Sequence, residues 1–495
     1  MSPLQTPHAT RVLEDDLLAR TPSRLYVDGR WREASDGMIL QVEDPATGTT
    51  LATVANASVQ DARDAMDAAS RAQSSWAKTP ARTRADLLLA AHQTVLARAE
   101  EFALLISLEM GKPLDQARGE VTYGADFLRW YAEEAVRISG RWSDSPDGRS
   151  RLITMKQPVG PTFMITPWNF PLAMGTRKLG PALAAGCTAI VKPAPQTPLT
   201  MLALAAVLEE VGVPRGVVNV LPTDRAENVA GVVIGDPRLR KLSFTGSTRV
   251  GQQLVRDSAD GLLRLSMELG GNAPFLVFAD ADLDRAVEGA MIAKMRNMGQ
   301  ACTAANRFLV HHDVASDFGS MLAERMTAER MGRGTDPDVT VGPLVDERAR
   351  IKVGELVREA TSRGARLTTG GHAVAGPGYF FAPTVVQGVP ADARILSEEI
   401  FGPVAPIVEF GDDDQAIALA NGTPYGLVAY AYTADVDRVV RVSEDLEFGM
   451  VGVNQGIVST AAAPFGGVKQ SGFGREGGPE GIEEYLALKY VGLAV

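Results

Sequence analysis

The stretch from Thr188 to Val220, TAIVKPAPQTPLTMLALAAVLEEVGVPRGVVNV, contains the pattern that predicts the fold. Its two ends, Thr188–Val191 and Val217–Val220, are short apolar runs with the length of buried strands. The segment between them, Pro198–Val211, is helix-like, and Thr197 before Pro198 suits a capped helix start. A strand, a helix and a second strand in this order predict a parallel β-α-β unit.

The same alternation continues on both sides of this unit. Further strands are predicted at Thr162–Ile165, Leu242–Phe244 and Pro274–Phe278, and further helices at Ala226–Ile234, Val250–Asp257 and Leu283–Met295. The pattern restarts after Gly270-Gly271 and runs to about Asn454. We therefore predict an α/β protein with two doubly wound, Rossmann-like units, an architecture that binds nucleotides.

The segments outside this alternation have other patterns. Residues 1–21 form a polar arm, and residues 25–54 contain turn signals between short alternating runs, which predict β-hairpins. Three helices are then predicted, one capped by Ser58 and running through Trp76, one from Ala85 to Met110, and one from about Asp115 to Arg137. Segments 139–157 and 481–495 alternate like edge strands, and exposed strand edges usually find partners.

Composition excludes several classes of protein. The 495 residues include 49 basic and 60 acidic ones, for a net charge of -11, so we expect no nucleic-acid or anionic-membrane surface. Two cysteines cannot form a disulfide framework and fit a reducing compartment. No apolar stretch is long enough to span a bilayer, and no signal peptide is apparent, so we expect a cytoplasmic protein. The pair His311-His312 is predicted to end a surface strand without the carboxylate of a metal site, and no metal is expected.

Three motifs carry candidate chemistry. Cys302, in Asn297-Met298-Gly299-Gln300-Ala301-Cys302-Thr303, follows a break in apolar periodicity. A helix is predicted from Thr303 to Arg307, which would lower the pKa of the thiol at its N-terminus. Glu268 ends a strand before two glycines that allow close approach of a backbone or cofactor, and it is a candidate general base. Asn169 lies in a turn between Pro167 and Pro171 and is a candidate oxyanion donor.

A fourth motif suits a cofactor. The run Ser243-Phe244-Thr245-Gly246-Ser247-Thr248 leads from a strand through a glycine into a helix, whose first backbone amides suit a pyrophosphate. A second glycine pattern at Gly472, Gly474 and Gly477 matches the dinucleotide fingerprint by spacing alone. It lacks a preceding strand and a following β-α-β unit, so we interpret it as a glycine-rich loop.

Taken together, these motifs resemble those of the aldehyde dehydrogenase superfamily over roughly residues 22–490. Seven elements appear in the family's order: Thr166-Pro167-Trp168-Asn169-Phe170-Pro171, Lys192-Pro193-Ala194, Phe244-Thr245-Gly246-Ser247-Thr248, Glu268-Leu269-Gly270-Gly271, Gly299-Gln300-Ala301-Cys302, Glu398-Glu399-Ile400-Phe401-Gly402-Pro403, and Asn454 followed by Pro464-Phe465-Gly466-Gly467. The resemblance implies an N-terminal arm (1–21), an NAD(P)-binding domain (22–138 and 158–269), a catalytic domain (270–480) and a small β oligomerisation flap (139–157 and 481–495). It also implies a homodimer or homotetramer.

The resemblance implies a role for each matching residue. Cys302 would attack the aldehyde, Asn169 and the Cys302 backbone N–H would stabilise the oxyanion, and Glu268 would activate water to hydrolyse the thioester. Lys192 would bind the adenosine ribose, and Glu399 the nicotinamide ribose, with Phe401 packed nearby. The remaining implied cofactor contacts are Thr166, Pro167, Trp168, Pro195, Phe244, Gly246, Ser247 and Leu269.

Within the superfamily, the chain resembles the succinate-semialdehyde dehydrogenases at three positions. In that subfamily the residues matching Arg177, Arg296 and Ser459 hold the distal carboxylate of the substrate. Glutarate semialdehyde, another ω-carboxyl aldehyde or a general aliphatic aldehyde remains an alternative substrate. A structural protein that lost the chemistry is disfavoured, because Cys302, Glu268 and Asn169 are all present.

Two departures from relatives matter. Some relatives carry a second cysteine two residues after the nucleophile, and this chain has Ala304 there, so no redox switch is expected. NAD-specific relatives often have a glutamate three residues after the lysine, where this chain has Pro195. Without that carboxylate the 2′-phosphate is not repelled, so NADP is expected to be used at least as well as NAD.

Overall fold

A computed structural model describes the protein from His8 to Val495, with side chains from Val12 onward. Residues 1–7 of the predicted arm lie outside the described residues, and the prediction of a loose arm is wrong for His8–Arg20, which form a helix. The helices are α1 (His8–Arg20), α2 (Val59–Lys78), α3 (Ala81–Ala97), α4 (Ala99–Met110), α5 (Leu114–Ala135), α6 (Ala173–Ala185), α7 (Leu199–Glu210), α8 (Ala226–Ile234), α9 (Thr248–Asp257), α10 (Leu283–Met295), α11 (His312–Thr327), α12 (Glu347–Ser362), α13 (Arg394–Ser397), α14 (Asp413–Asn421), α15 (Val436–Asp445) and α16 (Glu480–Glu483).

The strands follow the predicted alternation. They are β1 (Leu25–Val27), β2 (Arg30–Arg32), β3 (Ile39–Asp44), β4 (Thr49–Ala55), β5 (Arg141–Asp144), β6 (Ser150–Pro158), β7 (Thr162–Ile165), β8 (Ala189–Lys192), β9 (Val218–Val220), β10 (Lys241–Thr245), β11 (Arg264–Glu268), β12 (Ala273–Val277), β13 (Ala305–His311), β14 (Arg366–Thr369), β15 (Thr384–Gln387), β16 (Val404–Phe410), β17 (Tyr425–Gly426), β18 (Val428–Tyr432), β19 (Met450–Val453), β20 (Val468–Lys469), β21 (Gly472–Phe473) and β22 (Leu486–Ala494).

Two large sheets organise the chain. The first has the order β2-β1-β9-β8-β7-β10-β11-β21, and its five central strands from β9 to β11 are parallel. The second has the order β14-β15-β16-β13-β12-β18-β19 and is parallel except at β14. The prediction of an α/β protein with two doubly wound units is confirmed.

Helices cover both faces of the first sheet, as alternation along β7 shows. Phe163 and Ile165 belong to a core shared with α2 and α8, whereas Met164 belongs to a core shared with α5 and α7. Strands buried on both faces need apolar residues at every position, which explains the continuous apolar runs in the sequence. The helix cap predicted at Ser58 is confirmed, and Asp61 completes a capping box with it at the start of α2.

Edge-like segments pair with each other. Strand β6 lies between β22 and β5 in a three-stranded antiparallel sheet, and β22 pairs with β6 from Leu486↔Pro158 to Ala494↔Ser150. The C-terminal segment therefore finds its strand partner within its own chain. Within the described residues, no helix combines the length and apolar character needed to cross a membrane.

Two predicted helices are wrong. The single helix from Ala85 to Met110 is two helices, α3 and α4, because Arg98 leaves the helical region of the backbone. The helix from Thr303 to Arg307 does not exist, since Ala305 already begins β13. Strand β13 lies between β12 and β16 and is buried over almost its whole length, so sheet pairing overrides local helix propensity there.

His311 ends β13 and His312 begins α11, so the predicted strand end is confirmed for His311 alone, and the prediction that a carboxylate is lacking is wrong. His312 Nε2 lies 3.1 Å from an oxygen of Asp313. Both imidazoles are also within hydrogen-bond distance of backbone carbonyls, at Gly411 for His311 and at Phe410 for His312. The ring nitrogens therefore already have partners within the described chain.

Candidate active site

A cavity of about 270 Å³ opens where the carboxyl ends of β7, β10 and β11 face the loop that precedes β13. Ligands of doubly wound proteins bind at this end of the strands. The structure brings together the predicted catalytic and substrate-binding residues around this cavity: Asn169, Arg177, Glu268, Arg296, Cys302 and Ser459. It places seven predicted cofactor contacts on the same walls: Pro167, Trp168, Gly246, Ser247, Leu269, Glu399 and Phe401.

Cys302 is half-buried on a loop with an unusual backbone. Asn297, Met298 and Gly299 have φ values of 54°, 55° and 73°, three consecutive left-handed residues. Such strain persists only where surrounding contacts fix it. Here Asn297 Nδ2 donates to the carbonyl oxygens of Asn169 at 3.0 Å and Gln300 at 2.9 Å.

Gly271 allows the Cys302 loop to approach the end of β11. A Cβ atom on Gly271 would lie 2.4 Å from the Cys302 carbonyl oxygen, closer than any real contact. The predicted reason for the paired glycines, close approach of another backbone, therefore applies at Gly271. This packing brings the Cys302 loop against the residues that follow Glu268.

The electrostatic environment of Cys302 differs from the one predicted. Burial raises the pKa of the thiol to about 12, and the negative charges of Glu399 and Glu268 act in the same direction. Arg177 and Arg296 oppose this shift. The prediction of a pKa lowered by a helix N-terminus is wrong, because the chain continues from Cys302 into β13 rather than into a helix.

Asn169 is held by both its side chain and its backbone. Its Nδ2 donates to the Gln300 carbonyl at 3.0 Å, and its own carbonyl accepts from Lys112 Nζ at 2.8 Å. The Asn169 side chain is buried but lines the cavity. An amide fixed in this way can donate its second hydrogen toward a developing oxyanion without further reorganisation.

Glu268 is the last residue of β11, and neither of its carboxylate oxygens has a hydrogen-bond partner among the described residues. Burial raises the pKa of Glu268 well above its usual value, and the charge of Glu476 raises it further, whereas Arg177 and Lys178 lower it. A buried carboxyl without partners on the wall of a reactive cavity is suited to exchange a proton with water.

Arg177 lies on α6. One edge of its guanidinium is hydrogen-bonded, and another edge is free of hydrogen bonds within the described residues. Its Nε donates to Glu476 Oε2 at 2.6 Å, and the guanidinium carbon lies 4.1 Å from the ring centroid of Phe465. Its Nη2 is buried and has no hydrogen-bond partner in the part of the chain that the structure describes. A fixed guanidinium with an unused donor is a ready receptor for an anionic oxygen.

Arg296 follows α10 and makes no ion pair within the described chain. Its guanidinium carbon lies 4.8 Å from the ring centroid of Phe170 and 5.8 Å from that of Tyr123. The two aromatic rings orient the guanidinium while leaving its donors without a carboxylate. No carboxylate of the described chain therefore neutralises the charge of Arg296, which is available to a ligand.

The residues around α9 and β8 fit a nicotinamide dinucleotide. Ser247 caps α9, where backbone amides are available to a pyrophosphate. Lys192 Nζ donates to the Pro193 carbonyl at 3.1 Å, and burial lowers the pKa of this lysine to about 8. Within the described residues no carboxylate pairs with Lys192, so its donors remain available for ribose hydroxyls or a phosphate.

The remaining predicted cofactor contacts are arranged around this region. Glu399 accepts from the Gly271 backbone N–H at 3.2 Å, and burial raises its pKa to about 7. The rings of Trp168 and Phe401 meet edge to face with centroids 5.4 Å apart. Thr166 and Phe244 are buried at the ends of β7 and β10, and Pro195 is half-buried beyond β8; these three residues do not line the cavity.

Several residues at the site were not among the predicted candidates. Glu476 is buried and accepts from Arg177 and from Lys178 Nζ, the latter at 2.5 Å. Lys352 lines the cavity and donates to the Glu399 carbonyl at 2.6 Å. Glu476 stands in the loop Gly474-Arg475-Glu476-Gly477, and an acidic residue in a glycine-rich loop is the only signal that marks it in the sequence.

Comparison with curated proteins gives close relatives over most of the chain. The chain is 57% identical over 444 residues to a succinate-semialdehyde dehydrogenase of Paenarthrobacter nicotinovorans, covering 90% of this chain and 99% of the relative. It is 48% identical to the succinate-semialdehyde dehydrogenase [NADP(+)] of Escherichia coli K12, over 97% and 99% of the two chains. It is 46% identical to a glutarate-semialdehyde dehydrogenase of Pseudomonas aeruginosa, again over 97% and 99%.

Comparison with solved structures agrees. The crystal structure of succinate-semialdehyde dehydrogenase from Burkholderia pseudomallei superimposes with a TM-score of 0.95 at 45% identity, covering 100% of both chains. The sequence model described as Aldehyde dehydrogenase family matches residues 31–491. With a match over most of its length and relatives at this level of identity, the chain belongs to the aldehyde dehydrogenase family.

Proposed function

We propose that this protein oxidises succinate semialdehyde to succinate with NADP or NAD as the hydride acceptor. The observation that carries this proposal is the pair of guanidinium groups on the wall of the cavity that also holds Cys302. Arg296 has no ion-pair partner in the described chain. Arg177 pairs with Glu476 through Nε, but its buried Nη2 has no hydrogen-bond partner among the described residues. Relatives named for succinate semialdehyde support the same substrate.

The proposed reaction begins at Cys302 and ends at Glu268. The Cys302 thiol loses its proton to water, and its sulfur attacks the aldehyde carbon as the C=O π bond opens. The Asn169 amide and the Cys302 backbone N–H donate to the resulting oxyanion of the thiohemiacetal. The cofactor, when bound, would supply the hydride acceptor for this adduct, and loss of the hydride would leave a thioester on Cys302. Glu268 then takes a proton from water, the hydroxide oxygen attacks the thioester carbon, and succinate leaves as the C–S bond breaks.

The cofactor would be held by residues from both sheets. Ser247 and the first turn of α9 would receive the pyrophosphate, Lys192 the adenosine ribose, and Glu399 the nicotinamide ribose. Trp168 and Phe401 would pack nearby through their paired rings. Lys352, which donates to the Glu399 carbonyl, would fix the position of that glutamate.

Loss of one arginine should weaken activity on an anionic aldehyde selectively. A charge-assisted hydrogen bond to a carboxylate contributes about 1.5–3 kcal/mol, so Arg296→Ala should lower kcat/KM for succinate semialdehyde by about 10- to 100-fold. Butanal lacks the carboxylate, and its kcat/KM should change little. Steady-state kinetics on both aldehydes with wild type and variant would measure this.

Arg296 is the cleaner test because its removal leaves no buried carboxylate behind. Arg177→Ala should show the same selectivity, although Glu476 would keep only Lys178 as a cationic partner. Ser459→Ala should cost less, because a neutral donor contributes about 0.5–1.5 kcal/mol. Equal losses on both aldehydes for Arg296→Ala and Arg177→Ala would contradict the carboxylate role and leave a general aldehyde dehydrogenase.

Glutarate semialdehyde is the second candidate substrate, because a relative named for it is 46% identical over nearly all of both chains. One methylene group changes discrimination by only about 1–3 kcal/mol, so turnover of both is expected. The ratio of kcat/KM values for the two semialdehydes decides the assignment. A ratio that favours the longer aldehyde would replace succinate semialdehyde as the principal substrate.

Pro195→Glu should move cofactor preference from NADP toward NAD. Lys192 has no carboxylate partner in the described chain, and a glutamate at position 195 would repel the 2′-phosphate and accept from a ribose hydroxyl. We expect the ratio of kcat/KM for NADP to that for NAD to fall at least about tenfold, which corresponds to about 1.4 kcal/mol. A wild-type protein that uses only NAD would contradict this expectation.

The domains and the assembly are also proposed. We assign residues 22–138 and 158–269 to cofactor binding, 270–480 to catalysis, and 139–157 with 481–495 to a homodimer or homotetramer contact. The three-stranded sheet of the last group exposes Trp142, Leu488 and Tyr490, whose burial against another copy would be favourable. Free thiols at Cys187 and Cys302 support a cytoplasmic location.

A further inference from the structure

A buried ion pair lies beneath the turn that carries Asn169. Lys112 stands between α4 and α5, Glu120 lies on α5, and Lys112 Nζ is 2.5 Å from Glu120 Oε2. The two side chains are only 1% and 0% exposed. Buried ion pairs contribute little net stability, because desolvation offsets their attraction, so their position calls for another explanation.

The pair contacts both ends of the segment from Asn169 to Ala173. At the first end, Lys112 Nζ donates to the Asn169 carbonyl at 2.8 Å and lies 4.0 Å from the Phe170 ring centroid. At the second end, Glu120 Oε1 accepts from the backbone N–H groups of Leu172 at 3.0 Å and Ala173 at 3.3 Å. One ion pair therefore holds both ends of the part of the connection from Asn169 to the start of α6.

The position of the Asn169 carbonyl determines where its side-chain amide points. Asn297, from the Cys302 loop, also donates to that carbonyl, at 3.0 Å, and the Asn169 amide donates to Gln300 in the same loop. Lys112 thus holds Asn169 from one unit of the fold while the Cys302 loop holds it from the other. Without Lys112, the carbonyl loses one of its two donors.

Direct contact between Lys112 and the substrate is disfavoured. Its charge is matched by Glu120, so the pair is neutral, and Nζ already has the Glu120 carboxylate, the Asn169 carbonyl and the Phe170 ring as partners. A third cation for the substrate carboxylate would need donors facing the cavity, as Arg296 has. Lys112 does not line the Cys302 cavity; it lines a neighbouring cavity with Arg296 and Ser459, where its Nζ is already engaged by Glu120 and the Asn169 carbonyl.

We propose that Lys112, held by Glu120, is a positioning residue that aims the Asn169 amide at the oxyanion formed on Cys302. This inference rests on the proposed role of Asn169 as an oxyanion donor. Loss of Lys112 should therefore slow the chemical step for every aldehyde, charged or neutral. It therefore differs from the effect expected of Arg177 and Arg296, which depends on the substrate carboxylate.

Lys112→Met tests the inference, because methionine fills the same space without the donor. We expect kcat/KM to fall by about 10- to 100-fold on succinate semialdehyde and on butanal alike, since small displacements of an oxyanion donor carry effects of this size. Affinity for NADPH, measured by fluorescence titration, should change less than about twofold. Glu120→Gln keeps an oxygen for the α6 amides and should show a smaller loss of the same kind.

A double-mutant cycle separates positioning from general destabilisation. In an Asn169→Ala background, Lys112→Met should lower kcat/KM by less than about twofold, because the group that Lys112 aims is gone. A full additional loss in that background would overturn the inference. If Asn169→Ala alone has no effect, the proposed role of Asn169 fails, and a loss in Lys112→Met would then identify a different role for the lysine.

Lys241→Met is a matched control. Lys241 is also fully buried, lies 4.9 Å from the Tyr485 ring centroid and pairs with Glu484, but it begins β10 at the end of the sheet away from Cys302. The Lys241→Met variant should have a changed unfolding temperature but should not show the loss of kcat/KM expected for Lys112→Met.

If Lys112→Met alone does not fold, the pair Lys112→Met with Glu120→Gln removes both charges together. A folded double variant with wild-type kcat/KM would overturn the inference, and one with the predicted loss would support it.

Discussion

Replacing Cys302 by alanine should abolish aldehyde oxidation while leaving the fold and cofactor binding intact. Cys302 lines the cavity together with Glu268 and Asn169, and its side chain is the only thiol there. Without the sulfur no covalent adduct forms, so the tetrahedral thiohemiacetal that releases the hydride is absent. Reduced cofactor should not accumulate above background in an absorbance assay, and circular dichroism should match the wild type.

Cys187→Ala provides the matched control for this experiment. Cys187 is buried near α6, its Sγ contacts the Tyr485 carbonyl at 3.4 Å, and burial raises the pKa of its thiol to about 11. Its removal should change stability by the small amount expected of a buried apolar group and should leave kcat unchanged. Residual turnover in Cys302→Ala would contradict the nucleophile assignment.

The raised pKa of Cys302 also predicts how the reactivity of its thiol depends on pH. Because burial raises that pKa to about 12, the thiol is protonated in the described structure at neutral pH and must lose its proton before attack. Arg177 and Arg296 favour the thiolate, whereas Glu399 and Glu268 oppose it. The rate of alkylation by iodoacetamide should therefore rise with pH, and this reaction should be absent in Cys302→Ala.

Local patterns predicted most of the fold. The unit from Thr188 to Val220 matches β8, α7 and β9 to within one residue at each boundary, because continuous apolar runs are required in strands covered on both faces. The helix predicted from Thr303 to Arg307 was wrong because contacts with strands distant in sequence determine the backbone there. Residues 305–307 look helical locally, yet β12 pairs with Ala305 and Arg307, and β16 pairs with the same strand from Phe308 onward.

The site was predictable in its reactive groups and less so in their supports. Cys302, Glu268 and Asn169 were marked by broken periodicity, paired glycines and a proline-bounded turn. Glu476 is 299 residues from Arg177 in sequence, and Lys112 is 57 residues from Asn169. No local pattern records a contact over such separations, so the groups that orient the reactive residues emerge only from the folded chain.

Replacing Glu268 by glutamine should separate the two halves of the reaction. Glutamine is nearly isosteric but cannot accept a proton from water, so Cys302 should be acylated once and the thioester should persist. Rapid mixing should show a burst of reduced cofactor close to one equivalent per active site. Steady turnover should then fall at least about 100-fold, within the range of general base catalysis.

An added nucleophile provides the control for this assignment. Hydroxylamine attacks thioesters without a general base, so it should restore turnover in Glu268→Gln but not in Cys302→Ala. Intact-protein mass spectrometry should find the acyl group only in the first of these two variants. A Glu268→Gln protein with wild-type steady turnover would remove Glu268 from the mechanism.

The environment of Glu268 also predicts how hydrolysis depends on pH. Burial and the charge of Glu476 raise the pKa of Glu268 well above its usual value, so a substantial fraction becomes protonated at a pH where an exposed glutamate is fully ionised. Only the ionised form can accept a proton from water, so wild-type hydrolysis should slow as pH falls through that raised pKa. Glu268→Gln should lose this dependence because glutamine does not titrate. Thioester decay measured by quenched flow at several pH values would test this, and an unchanged pH profile in the variant would show that another group is the base.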